Sequence, residues 1–536
     1  MNRLFLSLIS LAACMTSCTS PEPLTDYVDP RIGTAHSRWF FFTPAAVPFG
    51  MAKLAPTTDG HLGNPGGWQA VGYDARHTSI EGFANFHEFQ VGGVVIAPTV
   101  GALQTVPGPL DDPEAGYRSR FDKKDEVARP GYYSVLLKDY GVKAELTATE
   151  RVGFHRYTFP ASEEANLIFN IGTKMGESGP ARDASVTFTE DGRIEGWVVT
   201  EPVYVDIYQK GAVVKMYFSA VVDAEPASWG AFCGEEVFAG ERSRTGVGAG
   251  VYLRFDTRAR RDVGVKIGLS YTSVENARLN MQAEAADLDF DGALLAANEA
   301  WEEALGRIRV EGGKREDRVK FYTGLFHAVL GRGLASDVNG AYPANDGTVG
   351  QIPLDPAGNP LHNHYNTDAI WGGFWNLTQL WSIAYPEYYA DWISSQLLVY
   401  KDAGWLGDGI ACSKYVSGVG TNFTGLAIAA ASAISTWRSA TKPPSRTNWA
   451  AKAVPREPAS WMWGSSSSAA IRPIRRSCTC RPRPAVRVSR LRIRSNIRSA
   501  PMPWPRWPAS WDMKPITNGF RSSPKGGNCS STPKPN

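Results

Sequence analysis

Acidic side chains nearly vanish from the last hundred positions of this 536-residue chain, where Glu457 and Asp512 are the only two. The same stretch has no Tyr, no His and a single Phe, Phe520, while it carries 15 Pro. Proline at that density excludes long helices and central strands, and the missing large apolar residues leave little to bury. Cysteine is scarce as well. Between residues 19 and 477 only Cys233 and Cys412 occur, too few and too far apart for a disulfide framework or a zinc site. No apolar run of about 18 residues follows the first dozen positions, which excludes a membrane-spanning helix by this criterion.

What is present divides into two unlike parts. The whole chain has a formal charge of +3, but residues 1–436 carry 36 Lys and Arg against 51 Asp and Glu, a net of −15. Residues 437–536 carry 20 against 2, a net of +18. Parts so different are not expected in one fold. Three readings of the basic part compete. It is a phosphate-binding arm whose Trp461, Trp463, Trp504, Trp507 and Trp511 stack on bases; or a linker or membrane-surface segment; or the product of a reading-frame shift in GC-rich DNA, which yields Arg, Pro, Ser, Ala and Trp with few acids. The third is preferred, because the change falls abruptly in what should be mid-domain, and no nucleic-acid partner is expected for an exported chain.

Export is read from the first residues. Arg3 supplies a positive start, and residues 4–13 form a ten-residue apolar run too short to span a bilayer. Leu11-Ala12-Ala13-Cys14 resembles a bacterial lipobox, which makes Cys14 the expected lipidation site, with Cys18 as the alternative. An ordinary cleaved signal peptide remains open. The expectation is a periplasmic or cell-surface lipoprotein of a Gram-negative bacterium, touching membrane only through its lipid anchor.

From about residue 24 to 274 the pattern is strand-like. Tyr133, Val135 and Leu137 alternate, as do Val142, Ala144, Leu146 and Ala148. Asp191-Gly192 between two β-rich runs predicts a hairpin. Residues 203–208, 213–222, 251–255 and 263–270 read as further strands. The period then changes: Leu294, Ala297, Trp301, Leu305 and Ile308 lie on one helix face, as do Val319, Tyr322, Leu325, Phe326 and Val329. Residues 375–383, 387–400 and 425–434 are further helical candidates. The predicted architecture is multidomain β + α: a lipoprotein signal peptide over 1–18, an N-terminal antiparallel β-sandwich over 24–275, a helical linker over 276–312, an incomplete (α/α) toroid over 313–436, and a disordered basic C-terminal tail over 437–536. Seventeen Trp and 20 Tyr suit flat platforms for sugar rings and core packing equally well.

Ordered motifs from about residue 25 to 431 resemble glycoside hydrolase family 92, the α-mannosidase family. They are Tyr27-Val28-Asp29-Pro30-Arg31-Ile32-Gly33-Thr34, Val47-Pro48-Phe49-Gly50-Met51, Leu54-Ala55-Pro56, Gly72-Tyr73-Asp74, Gly82-Phe83 through His87, Phe321-Tyr322-Thr323 with Phe326-His327, Ser336-Asp337-Val338, Asp346-Gly347, and Tyr400-Lys401 with Gly404-Trp405-Leu406. The resemblance implies a calcium-dependent inverting exo-α-mannosidase acting on glycans. Such an enzyme needs one carboxylic acid and one carboxylate roughly 6.5–9.5 Å apart. It also implies that the acid, the base and the calcium ligands lie beyond the point where this chain turns basic, so that they are expected to be absent and the chain inactive. A non-catalytic carbohydrate-binding surface protein is the alternative. The Gly-Phe-Ser-His-Thr-His loop of the family, reaching toward its active site, falls at residues 82–87, with Asn85 in place of the first His. The family's Trp-Asp-Thr followed by Phe-Arg becomes Trp371-Gly372-Gly373-Phe374-Trp375.

Five residues are candidates for sugar contact, each with a plainer reading beside it. Trp68, in a Gly-rich loop, is a platform or an interdomain packing residue. His87 and Glu88 are a hydroxyl-binding pair or a satisfied pair at a domain interface. Asp368 contacts sugar or caps a helix. Trp371 is a platform or core, and Trp375 is core. Asp346, before Gly347, is read as a turn residue. His362 and His364, lacking a third ligand, are not read as a metal site.

Overall fold

A computed structural model describes residues 22–35, 41–58, 72–173, 175–331, 333–367, 370–416 and 423–440. All lie in the first of two compact units, Met1–Asn496; the second, Ile497–Asn536, is outside the described residues. Cys14 and Cys18 fall outside them, and so does the basic tail from residue 441 onward.

Alternation along the strands builds two antiparallel sheets. Tyr133, Val135 and Leu137 are buried while Leu136 faces solvent, following the period of two expected of a half-covered strand, although Ser134 on the outward face is buried as well. Seven strands pair in the spatial order Ala55–Thr57, Gly82–Glu88, Val91–Val100, Ala165–Asn170, Ala249–Phe255, Ser228–Cys233, Glu236–Ala239. Nine pair in the order Ser243–Thr245, Ala181–Phe188, Arg193–Thr200, Val214–Val222, Asp262–Ser270, Val152–Thr158, Val142–Ala148, Tyr132–Leu137, Val127–Arg129. Phe83, Phe169 and Val251 of the first sheet share one core with Val186, Phe218 and Ile267 of the second, so the two form a sandwich. The hairpin at Asp191-Gly192 is present, with Gly192 taking φ +81°.

One expected strand is a helix. Residues 203–208 form α1 (Val203–Tyr208), entered from Pro202 and closed where Asp206 accepts hydrogen bonds from Gly211 N at 2.9 Å and Lys210 Nζ at 2.6 Å. Six residues are too few for a period-of-two pattern to decide, and these local bonds favour the turn of helix.

Helices follow the sandwich. Ser273 Oγ caps α2 (Val274–Ala285) by accepting from Asn276 N, and Asp289 caps α3 (Phe290–Gly306) by accepting from Gly292 N. These two helices cover the outer face of the nine-stranded sheet, where Met281, Ala285 and Ala293 pack on Val152 and Phe154. The approach is close: a Cβ on Gly268 would lie 2.2 Å from Ala277 O. Trp301 of α3 is fully buried and donates from Nε1 to Ala46 O at 2.7 Å, tying the helix to the start of the sandwich. Then come α4 (Arg315–Leu330), α5 (Ile370–Gly373), α6 (Leu377–Ala384), α7 (Pro386–Ala403) and α8 (Phe423–Ala440). The last runs four residues past the composition change at 436. The helix expected over 375–383 forms as Leu377–Ala384, starting two residues late because the chain breaks at 374–376 after the helix-weakening pair Gly372-Gly373. Trp375, expected in the core, stands 69 % exposed at that break. Among the described residues no helix is long and apolar enough to cross a membrane.

Candidate functional site

The sequence-derived candidates are not gathered in one place. Trp68 and Asp368 lie outside the described residues. Trp371, in α5, is 42 % exposed and lines neither of the two clefts described below. His87 and Glu88 end a strand whose connection to the next is a two-residue hairpin, Phe89-Gln90, rather than a long reaching loop. Gln90 takes φ +70° there, which closes the tight turn. Both candidate side chains are buried. Glu88 Oε2 pairs with Lys53 Nζ at 3.2 Å, Glu88 Oε1 accepts from Phe89 N at 3.0 Å, and Lys53 Nζ donates to Gly331 O just beyond α4 at 2.9 Å. His87 stacks on Phe42 at 4.6 Å between ring centres. This places the pair at the junction of sandwich and helices.

The larger cleft, about 510 Å³, opens where α1 and the adjoining strand meet two hairpins of the helical part. The sandwich contributes Gln209, Lys210, Lys215, Tyr217, Tyr271 and Thr272; the helical part contributes Asn345, Asp346, Thr348, Cys412 and Lys414. The two walls are sewn together where the side-chain amides of Gln209 and Asn345 exchange hydrogen bonds at 3.2 Å each. Asp346 Oδ1 accepts from Thr348 N at 2.9 Å and Thr348 Oγ1 at 2.6 Å, the turn anticipated at Asn345-Asp346-Gly347.

Lys414 is set by a strained hairpin. Strands Gly409–Ala411 and Lys414–Val416 are joined by Cys412-Ser413, with φ +47° and +58°, the corner geometry that Asn-Gly usually fills. Positive φ at two non-glycine residues costs about 1–3 kcal/mol each. Three hydrogen bonds offset it: Cys412 N to Asn366 Oδ1 at 2.7 Å, Asn345 Nδ2 to Ser413 O at 2.7 Å, and Ser413 Oγ with His364 Nε2 at 2.8 Å. Burial depresses His364 to about 3, so this imidazole is neutral. Asn366 Nδ2 and His364 Nδ1, both buried, have no hydrogen-bond partner among the described residues. The turn delivers the buried ammonium of Lys414 to the cleft, where it donates to Ala344 O and Asn345 O. Burial pushes its pKa down, Lys215 adds to the fall, and Cys412 and Asp346 oppose it.

A second cleft of about 470 Å³ lies between the turn at Val47-Pro48-Phe49 and helices α3 and α7. Its aromatic faces are spent on one another: Phe49 stacks on Tyr388 at 3.5 Å and Tyr365 meets Tyr388 edge-on at 4.8 Å. Tyr385 Oη donates to Ala304 O at 2.9 Å. Burial raises Asp391, on its wall, to about 6.

Gln209, Lys215, Asn345 and Lys414 were not singled out from sequence. The one local sign was the Asn345-Asp346-Gly347 turn; Gln209 meets Asn345 across 136 residues and Lys414 meets it across 69. Among the described residues no three His, Cys, Asp or Glu side chains gather as a metal site, and a cleft with three lysines and one carboxylate does not suit a divalent cation.

The glycosyl hydrolase family 92 N-terminal domain matches residues 27–270, and the glycosyl hydrolase family 92 catalytic domain matches residues 276–443. Among solved structures the chain resembles the family GH92 alpha-mannosidase BT3965 from Bacteroides thetaiotaomicron, with 26 % identity and a TM-score of 0.66 over 74 % of this chain and 52 % of that one. The GH92 family glycosyl hydrolase ccman5 gives 26 % and 0.62, over 76 % and 53 %. The family GH92 inverting mannosidase BT2199 from Bacteroides thetaiotaomicron VPI-5482 shares the fold, with 21 % and 0.64 over 77 % and 53 %. The chain thus spans about half the length of the solved structures it matches. A comparison with curated proteins finds no match.

Proposed function

The chain belongs to glycoside hydrolase family 92, and on that premise we propose that it is the saccharide-binding front half of an exported enzyme whose intact form removes terminal α-mannose or a related sugar from glycans. The observation that carries this reading is the larger cleft. It is built jointly by the sandwich and the helical part, and it is lined by amides, hydroxyls and charged groups suited to sugar hydroxyls rather than to an apolar ligand.

The acid, the base and the calcium ligands of an inverting mannosidase are not supplied by this chain on our reading, and the basic residues after 436 replace the segment that carries them through a shift of reading frame. The chain's own residues bind and orient: Gln209, Asn345 and Thr348 put amides and a hydroxyl on the cleft wall, and the hydrogen-bonded hairpin at Cys412-Ser413 keeps Lys414 in place. Lipidation at Cys14 or Cys18 would hold the protein at a membrane surface. A non-catalytic carbohydrate-binding surface lipoprotein is the second reading, which rests on the same polar cleft.

Incubating the full chain with an aryl α-mannoside and calcium decides the main point: no turnover is expected, and turnover would overturn the missing-half reading. Translating the gene's other two frames beyond codon 430 should give acidic, Tyr-containing amphipathic helices in one of them. Neither frame doing so would sink the frameshift.

A further inference from the structure

Resting on the reading of the larger cleft as a saccharide site, we infer that its saccharide carries an anionic substituent, a phosphate or a carboxylate, which sits against Lys414 and Lys215.

The charge balance of the cleft is the first ground. Three lysines line it against one carboxylate, Asp346. Lys210 is drawn off to Asp206 at 2.6 Å. Lys215 and Lys414 have no ion pair among the described residues, and the charge of Lys215 adds to the fall in the Lys414 pKa. Asp346 answers only part of this charge: it opposes the fall in the Lys414 pKa, but it is exposed, its Oδ1 is engaged by Thr348, and it is one carboxylate against three lysines.

Burial is the second. Lys414 is 6 % exposed, and a buried ammonium is costly unless a counter-charge answers it. Its two carbonyl acceptors, Ala344 O and Asn345 O, use two of three N–H donors and supply no net negative charge. A monovalent or divalent oxyanion in the cleft fills the remaining direction and neutralises the charge.

The third is that the cation is held in place at a cost. Two non-glycine residues at positive φ, pinned by His364, Asn366 and Asn345, are an expensive way to make a hairpin, and this hairpin sets Cys412 and Lys414 on the cleft wall. Strain of this kind gathers at ligand sites. The cleft's size, about 510 Å³, leaves room for a sugar ring beside the charged group, with Gln209, Tyr217 and Thr348 around it.

Calorimetric titration of the full chain with mannose, mannose 6-phosphate, mannuronate and inorganic phosphate tests this. The expected result is that one of the two charged sugars binds about ten- to a hundredfold tighter than mannose at low salt. The excess should shrink in 0.5 M salt and fall toward parity in Lys215→Met. Lys215 is exposed, so this variant should fold even where Lys414→Met does not. Whichever charged sugar leads identifies the substituent. Equal affinity for mannose and both charged sugars overturns the inference and leaves the saccharide reading standing. Inorganic phosphate binding as tightly as mannose 6-phosphate, with no affinity for mannose, keeps the anion site but removes the sugar. No binding by any probe overturns both.

Discussion

Glu88→Gln is the substitution that separates a structural from a sugar-binding role for the His87-Glu88 pair. Glu88 and Lys53 are both buried, with Oε2 and Nζ 3.2 Å apart. At an effective dielectric constant near 20 their attraction is about 5 kcal/mol, most of which only offsets the loss of hydration that both charges suffered on burial. The variant keeps the shape but removes the negative charge. Lys53 then retains Gly331 O at 2.9 Å and has lost the carboxylate described here. Removing one partner of a buried pair typically costs about 3–5 kcal/mol, so Glu88→Gln should lower unfolding stability by about 3 kcal/mol in urea titrations. A double variant, Lys53→Met with Glu88→Leu, should recover most of that loss, because no charge is left stranded. Mannoside binding by folded Glu88→Gln should match the unchanged chain. A stability change under about 0.5 kcal/mol, coupled to lost sugar binding, would refute the structural assignment.

Burial lifts the Asp391 carboxyl from 3.8 to about 6, so the folded state holds that proton more tightly than the unfolded state and stability falls as pH rises through that window. Asp391→Asn should therefore raise stability by up to about 3 kcal/mol at pH 7.5 and by little at pH 4; equal effects at both pH values would contradict the sign. At the cleft hairpin, Ser413→Gly relieves positive φ but strands the buried His364 Nε2, and the lost bond should outweigh the relieved strain by about 1 kcal/mol. Ser413→Ala keeps the strain and loses the bond, so thermal stability should rank unchanged chain, Ser413→Gly, Ser413→Ala, and any other order counts against the account. Chelation with EDTA should leave the melting temperature of this chain within about 1 °C, since bound metal would add stability by mass action; a drop of several degrees would reveal a metal site the described side chains do not form.

The sandwich was legible because its rule is local. One covered face imposes a period of two, and Tyr133, Val135 and Leu137 obey it with Leu136 turned outward. The helical faces around Trp301 and Phe326 were legible for the same reason at a period near 3.6, and both residues are fully buried. The failures came where the local rule was underdetermined. Six residues at 203–208 satisfied a strand pattern, but the bonds from Gly211 and Lys210 to Asp206 close a helix there. Trp371 and Trp375 have the spacing of one helix face, yet Gly372-Gly373 between them weakens the helix and leaves Trp375 in solvent.

The site was mostly illegible, and the reason is that each of its parts has a sufficient local explanation. Asn345-Asp346-Gly347 makes a turn whether or not a ligand binds beside it. Lys414 opens a three-residue strand, an ordinary position for a lysine that faces water. Only the fold turns it inward, since Cys412 and Ser413 are held at positive φ by partners from residues 345, 364 and 366. A motif search looks for residue types whose chemistry is unusual, such as paired acids or clustered histidines. A cleft lined by common residues carries no such mark. The sign to look for is instead a charge that the fold takes out of water without an ion pair, which three-dimensional contacts reveal and residue spacing does not.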